Sequence, residues 1–322
     1  MEQNGKKLVV AFPALDETRR NRITDQVSSF GYSVVFCDTP EKALSEVEDA
    51  GVIFGMNAAL VEAGKNIKWV CTPSAGVDHF LKVLAGTDIK LTNSSGAYGL
   101  TIAEHIVMVT LELMRKRPEY VELAKKRIWE HDLPVSSISG ARITMVGTGD
   151  IGKEAAIRLK AFGPKCIAGV NRRGQNPDGL FDEIVTLEKI EDILPRTDLL
   201  VLSLPSTKET IGLLTEERLR MLPRTAFLVN VGRGNVLDQE AIERILREGA
   251  LGGAALDVFE KEPLDPESTL WDCPRLVLTT HVAGNWTLPH TVDRIVEMFL
   301  TDFANFCEGK PLNNLVDMQA GY

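Results

Sequence analysis

Arg142-Ile143-Thr144-Met145-Val146-Gly147-Thr148-Gly149-Asp150-Ile151-Gly152 is the stretch on which the fold turns. Five residues of strand character run directly into a Gly-x-Gly-x-x-Gly loop. From Ile151 onward the chain reads as a helix with Ala155, Leu159 and Phe162 on one face, ended by Gly163-Pro164. A glycine triplet alone is a weak signal. Between a strand and a helix each glycine serves a distinct purpose. The first makes the tight turn, the second lets backbone approach a pyrophosphate, and the third lets helix and strand pack closely. The helix N-terminus adds free N–H groups and a positive dipole. Gly147, Gly149, Asp150, Ile151 and Gly152 are therefore candidate dinucleotide-binding residues, with a purely structural loop as the alternative.

Outward from this loop the chain alternates strand-length apolar runs with helical stretches. Before it stand Leu8–Phe12, Ser33–Cys37, Val52–Phe54, Trp69–Thr72 and Lys90–Thr92; Thr39-Pro40-Glu41, between the second and third, is a helix start. From the loop onward come Arg142–Val146, Cys166–Val170, Ile184–Val185, Leu199–Leu204, Ala226–Val231, Gly253–Val258 and Leu276–Thr280. Such alternation predicts parallel sheets covered by helices on both faces. A long apolar helix over Thr101–Arg117, stopped by Pro118, separates the two series, followed by a polar stretch from Glu119 to Asp132. A last helix is predicted over Leu288–Phe306. At 322 residues the chain exceeds what one core usually organises, so two domains are expected, and the C-terminal helix must pack onto one of them.

Composition is that of an ordinary globular protein, 44% hydrophobic and 25% charged. A net charge of -9 argues against nucleic acid or an anionic membrane surface as partner. The apolar run after Met1–Lys7 is too short for a signal peptide or a membrane span. Five scattered cysteines (Cys37, Cys71, Cys166, Cys273, Cys307) lack Cys-x-x-Cys spacing and read as free thiols in a reducing cytoplasm, with no metal site expected.

Asn171-Arg172-Arg173 stands nineteen to twenty-one positions past Gly152, where an acidic residue would hold the adenosine ribose hydroxyls. A carboxylate there would repel a 2′-phosphate, whereas two arginines can bind one through charge-assisted hydrogen bonds. This predicts NADP in preference to NAD, against the alternative of two solvated arginines. Three further residues follow successive strands: Arg233 in Asn230-Val231-Gly232-Arg233-Gly234, Glu262 in Phe259-Glu260-Lys261-Glu262-Pro263, and His281 in Thr279-Thr280-His281-Val282. Ligands bind at such carboxyl ends in a doubly wound sheet. Reducing a 2-keto acid needs a cation for the carboxylate and carbonyl, a general acid that titrates near working pH, and a carboxylate to orient that acid; Arg233, His281 and Glu262 supply the three. Singly, each has an ordinary reading as turn residue, solvated loop acid or loop histidine. His105 sits in a helical pattern that favours a structural role, and His79, His131 and His290 have no complementary partner in sequence.

With these residues in place, the chain resembles the D-isomer-specific 2-hydroxyacid dehydrogenases over nearly its full length. The resemblance is carried by Ser74-Ala75-Gly76-Val77-Asp78, Ile102-Ala103-Glu104-His105, the glycine loop, the segments around Arg233, Asp257 and Glu262-Pro263-Leu264, and His281-Val282-Ala283-Gly284. It implies an Arg/Glu/His catalytic set at Arg233, Glu262 and His281 acting on a small 2-keto or 2-hydroxy acid. It implies substrate binding by backbone N–H groups around Ala75, Gly76 and Val77, and cofactor contacts at Pro205, Val231, Asp257 and Gly284, the last two near the nicotinamide carboxamide. The implied architecture is a Rossmann cofactor domain, residues 99–285, inserted in a flavodoxin-like substrate domain of 1–98 and 286–322, with hinges near Tyr98–Thr101 and Gly284–Thr287 and the active site in the cleft. A homodimer through the cofactor domain is implied, with Glu119–His131 around Trp129 as its contact. Tyr98 departs from the asparagine that many members carry, and with Glu262 it argues against formate oxidation; it is a candidate for the substrate pocket or for packing. The competing readings are a dinucleotide-sensing protein like the corepressors of this fold and a dehydrogenase of a phosphorylated or phosphite-like anion. The Ser74–His79 loop offers no lysine or arginine for the latter.

Overall fold

Every apolar run named above becomes a strand, and all twelve strands pair in parallel, in a computed structural model that describes residues 6–319 and 321. Met1–Gly5, part of the N-terminal segment read above, lies outside the described residues. The chain divides into two units, one formed by residues up to Tyr98 and from Trp286 onward, the other by Gly99–Asn285.

In the first unit the order is β1 (Lys7–Ala11), α1 (Glu17–Ser29), β2 (Ser33–Phe36), α2 (Pro40–Glu46), β3 (Val52–Gly55), α3 (Ala59–Ala63), β4 (Trp69–Cys71), α4 (Asp78–Leu84) and β5 (Lys90–Thr92). The sheet runs β2-β1-β3-β4-β5, the flavodoxin-like order. Leu8, Val9, Val10, Val52, Ile53 and Phe54 are buried, as strands covered on both faces require. Thr39 caps α2 by accepting from Lys42 N at 3.2 Å, with Pro40 in the first turn, as its sequence predicts.

The second unit continues with α5 (Gly99–Met114), α6 (Arg117–Lys125), β6 (Arg142–Val146), α7 (Asp150–Lys160), β7 (Cys166–Asn171), β8 (Glu183–Thr186), β9 (Leu199–Leu202), α8 (Glu216–Arg220), β10 (Phe227–Asn230), α9 (Gln239–Arg247), β11 (Gly253–Leu256) and β12 (Leu276–Leu278). Its sheet, β12-β11-β10-β9-β6-β7-β8, is the doubly wound Rossmann order extended by one strand. The order reverses between β6 and β9, so the loop after β6 opens at the crevice where such sheets bind ligands.

The last helix, α10 (Pro289–Cys307), belongs to the first unit. Phe299 stacks on Phe54 with ring centroids 4.2 Å apart and lies 5.6 Å from Trp69, whose Nε1–H donates to Thr92 Oγ1 at 3.0 Å. Three helix expectations need correction. The long apolar helix ends at Met114, short of Arg117, and Pro118 lies in the first turn of α6 instead of stopping α5. Lys116 at φ +58 makes the break, and proline is favoured in a first turn, where its missing N–H costs nothing. The polar stretch after Pro118 thus begins as a helix, and α7 starts at Asp150, one residue before the position read from the sequence.

Candidate active site

The glycine loop is built by close approach. Gly147 has φ +106, and a Cβ there would stand 2.6 Å from Ser203 Oγ; at Gly152 it would meet the Gly147 carbonyl oxygen at 2.0 Å. A side chain at Gly147 would push the loop off the end of β9, and one at Gly152 would force α7 away from the loop after β6. Gly149 is different: a Cβ there would meet nothing within 4 Å, and as N-cap of α7 this residue provides no side-chain cap. Gly149 thus leaves space beside the first turn of α7 and gives it no side-chain cap, which fits a dinucleotide pyrophosphate. Asp150 packs its carboxyl group against Gly99, where a Cβ would fall 2.6–2.8 Å from all three carboxyl atoms.

At the end of β7, Asn171 builds the turn. Its Nδ2 donates to Thr148 Oγ1 and to Gln175 O, both at 2.9 Å, while its Oδ1 accepts from Arg173 N and Gln175 N. The side chain is committed to shaping the turn that carries Arg172 and Arg173, both exposed. Arg172 Nη1 lies 3.9 Å from Glu209 Oε2, so an acidic group already faces one of the two arginines. Pro205 and Val231 follow β9 and β10 on the same sheet.

Arg233, Glu262 and His281 sit on the loops after β10, β11 and β12. The Glu262–His281 pair forms: His281 Nδ1–H donates to Glu262 Oε2 at 2.7 Å, and Glu262 Oε1 accepts from Phe259 N at 2.9 Å. With side chains 51% and 34% exposed, this pair is reachable by a ligand. Arg233 is held through its backbone. Asn230, fully buried, donates from Nδ2 to Arg233 O at 3.0 Å and accepts at Oδ1 from Gly232 N at 3.1 Å. Arg233 Nη1 donates to Gly232 O at 2.9 Å. The glycine after it is compulsory, since a Cβ at Gly234 would stand 1.9 Å from the backbone carbon of Phe259. The glycines flanking Arg233, open to reading as a mere turn, are what lets its loop lie on the neighbouring strands.

In the first unit, the loop after β4 is pinned at its carbonyls. Asn93 Nδ2 donates to Ala75 O at 3.0 Å and Ser74 Oγ to Gly76 O at 2.6 Å. The N–H groups of Ala75, Gly76 and Val77 have no acceptor among the described residues.

A sequence model of the family described as "D-isomer specific 2-hydroxyacid dehydrogenase, NAD binding domain" matches residues 107–283, more than half of the chain. The chain belongs to this family. It is an NAD(P)-dependent oxidoreductase of 2-hydroxy and 2-keto acids. A glyoxylate reductase from Korarchaeum cryptofilum is 32% identical over 271 residues, 82% of this chain and 80% of that protein. A glyoxylate reductase from Thermofilum pendens is 32% identical over 71% of this chain and 69% of its own length. A family member of known structure from Aeromonas salmonicida superposes with TM-score 0.86 at 31% identity, covering 97% of this chain and 99% of the other. An NADPH-dependent glyoxylate/hydroxypyruvate reductase from Sinorhizobium meliloti, in complex with NADP and sulfate, does so with TM-score 0.82 at 28% identity, covering 98% and 99%.

Two further candidates of the dehydrogenase are held by side-chain bonds. Tyr98, a candidate for the substrate pocket or for packing, is 5% exposed; its hydroxyl donates to Pro73 O and accepts from Trp286 Nε1 at 2.8 Å. Burial pushes its pKa up to about 12, with the Trp286 hydrogen bond acting against the rise. The phenol is a fastener for the loop after β4. Asp257, 3% exposed, spends its carboxylate on the loop bearing His281: Oδ1 accepts from Thr279 Oγ1 at 2.6 Å and Val282 N at 3.0 Å, and Oδ2 from Ala283 N at 3.0 Å. Gly284 follows that loop directly.

Sequence reasoning missed Asn230, Thr279 and Trp286. The available signal for Asn230 was a polar residue closing the apolar run Phe227-Leu228-Val229. Among the described residues, Glu130, His131 and Asp132 bring possible metal-ligand atoms within 4.8 Å of one another. All three are exposed, and Glu130 Oε1 already accepts from the His131 and Asp132 amides. No described helix is long and apolar enough to cross a membrane.

Proposed function

We propose that this dehydrogenase reduces small 2-keto acids of the glyoxylate and hydroxypyruvate kind to D-2-hydroxy acids, prefers NADP(H), and uses Arg233, Glu262 and His281 for the chemistry. The 2.7 Å bond from His281 Nδ1–H to Glu262 carries the reading. In R–CO–COO⁻ the carbonyl carbon must gain a hydride and its oxygen a proton. The bound dinucleotide supplies the hydride. Because Glu262 engages Nδ1, His281 keeps Nε2 for the proton exchanged with the substrate oxygen. Arg233 offers a planar donor that binds the carboxylate and polarises the carbonyl. The unengaged amides of Ala75, Gly76 and Val77 are assigned a substrate carboxylate, and Gly147–Gly152, with Pro205, Val231, Asp257 and Gly284, the dinucleotide. This gives the second unit the cofactor and the first the substrate.

NADP preference is supported by Arg172 and Arg173 standing where an acidic residue would hold an unphosphorylated ribose. The Sinorhizobium meliloti relative with NADP is consistent with it. Assembly as a homodimer through the second unit is supported by the segment from α6 onward. That helix has no buried residue, and beyond it Trp129 is 96% exposed with Ile128 and Val135 beside it in sequence also exposed. Free thiols at Cys37, Cys71, Cys166, Cys273 and Cys307 accord with a reducing cytoplasm.

The test is the rate of NADPH and NADH oxidation with glyoxylate, hydroxypyruvate and phenylpyruvate. Turnover of at least one acid with a lower KM for NADPH is expected. No turnover across the panel, with tight cofactor binding retained, overturns the catalytic reading. A lower KM for NADH, indifferent to Arg172→Ala and Arg173→Ala, overturns the cofactor preference.

A further inference from the structure

His281 has a backbone that needs holding. At φ +56 it lies in the left-handed region, which is disfavoured for a residue with a Cβ. The conformation is fixed from one side by Asp257: its carbonyl accepts from His281 N at 2.8 Å, and its carboxylate takes the next two amides, of Val282 and Ala283. Behind Asp257 the chain of bonds continues. Thr279 Oγ1 donates its only proton to Asp257 Oδ1 at 2.6 Å, so the contact of the same oxygen with His105 Nε2, at 3.3 Å, must be one in which His105 donates. That fixes the tautomer of His105 with its proton on Nε2. Burial lowers the pKa of His105, against the opposing pull of Asp257 and Glu112, so the ring is a neutral donor near pH 7. His105 comes from α5, which packs against β10 and β11.

We propose that His105 and Thr279 are positioning residues for His281, acting through Asp257. The inference rests on the reading of His281 as the proton-exchanging group. His105 orients the Thr279 hydroxyl, and that hydroxyl orients the carboxylate that clamps the left-handed turn. The Nδ1–H of His281 then meets Glu262 in one geometry. Neither residue touches the reacting atoms. A helical histidine that looked like ordinary packing, 174 positions from Thr279, thereby enters the catalytic apparatus.

Thr279→Val keeps the shape and removes the hydroxyl; Thr279→Ser keeps the hydroxyl. His105→Leu and His105→Gln form a second pair, the glutamine retaining an N–H donor. The measurement is kcat per cofactor-binding site, the sites counted by fluorescence titration so that misfolded protein does not enter, together with KM for the keto acid. Thr279→Val and His105→Leu are expected to lower kcat about tenfold with KM within twofold, while Thr279→Ser stays within threefold of the parent and His105→Gln recovers most of the loss. Equal losses within each pair, or kcat per site unchanged in both apolar variants, overturn the proposal; if Thr279→Val does not fold, the His105 pair decides alone. His281→Gln separates the two levels. If it retains turnover, the reading of His281 fails; if it is inactive while Thr279→Val and His105→Leu are normal, only the positioning role fails.

Discussion

Glu262→Gln is a sharper perturbation than its near-identical shape suggests. The Glu262 carboxylate accepts two hydrogen bonds, Oε1 from the Phe259 amide at 2.9 Å and Oε2 from His281 Nδ1 at 2.7 Å. A carboxylate can do this because both oxygens are acceptors; an amide has one acceptor and one NH2 donor. Two arrangements remain for the glutamine. If its oxygen faces Phe259 N–H, its NH2 donates to His281 Nδ1, and the ring proton moves to Nε2. That network is fully satisfied, and it leaves no lone pair at Nε2 to take a proton from a hydroxy acid. If its oxygen faces His281, the working tautomer survives, but the Phe259 amide points at an NH2 group.

An unsatisfied donor of this kind costs about 1–3 kcal/mol. The working arrangement is thereby depleted by about 5- to 150-fold, taking 1.4 kcal/mol per factor of ten. Loss of the carboxylate charge adds to this, so kcat for oxidation of a 2-hydroxy acid is expected to fall by at least about tenfold. Substrate KM should stay within threefold, because Arg233 and the Ala75–Val77 amides are untouched. The assay is steady-state oxidation with NADP, accompanied by 15N NMR of the His281 ring to read the tautomer. A variant with kcat within threefold of the parent, or a ring still protonated at Nδ1, would refute the reasoning.

Arg233→Ala should raise KM and lower kcat together, since one group both binds the carboxylate and polarises the carbonyl; unchanged constants in steady-state reduction would remove it from the site. Glu209→Gln should lower the NADPH KM severalfold and leave that for NADH alone, because Glu209 competes for Arg172; parallel changes with both cofactors would count against a phosphate at Arg172. Trp129→Glu should shift a homodimer to monomer in sedimentation velocity, and an unchanged mass would move the interface elsewhere. For Tyr98, a folded pKa of about 12 against the ordinary 10 means that stability present below pH 10 is lost as pH rises to 12, by roughly 3 kcal/mol. Urea denaturation of Tyr98→Phe between pH 9 and 12 should show a flatter decline, and a slope identical to the parent's would contradict the burial argument.

The strands were legible because a parallel strand covered on two faces is a continuous apolar run, visible without knowing its neighbours; the two sheet orders were implied only by the family resemblance. Leu199-Leu200-Val201-Leu202 announces itself, and all four are buried. The break between α5 and α6 was hidden because Pro118 serves equally as a stop or a start, and the residue that decides, Lys116, has no sequence mark for a positive φ. The proposed catalytic residues were chosen by chemical type, one after each of three strands. Their supports were not legible. Tyr98 reads as a substitution in a binding motif, and only its bond to Trp286, 188 positions away, reveals a fastener. Asp257 reads as a cofactor residue through the resemblance, and nothing in the sequence marks that its carboxylate also accepts from amides some 25 positions later.

Those supports share a form that explains why this sheet can carry precise chemistry on loops. Three apolar strands, β9, β10 and β11, are each closed by one polar residue that holds a neighbouring loop. Ser203 follows β9 and packs against Gly147; Asn230 ends β10 and holds both sides of Arg233; Asp257 follows β11 and holds both sides of His281. The strand ends are also tied to one another, as Asp257 N donates to Asn230 O at 3.0 Å. Asn230 and Asp257 are buried, so removing a partner costs far more than it would on the surface, and their loops are held stiffly for that reason. The His281 and Glu262 side chains, by contrast, stay partly exposed. Rigidity and accessibility are thus assigned to different residues on the same strands, and an apolar run ending in one buried polar residue is the trace this division leaves in the sequence.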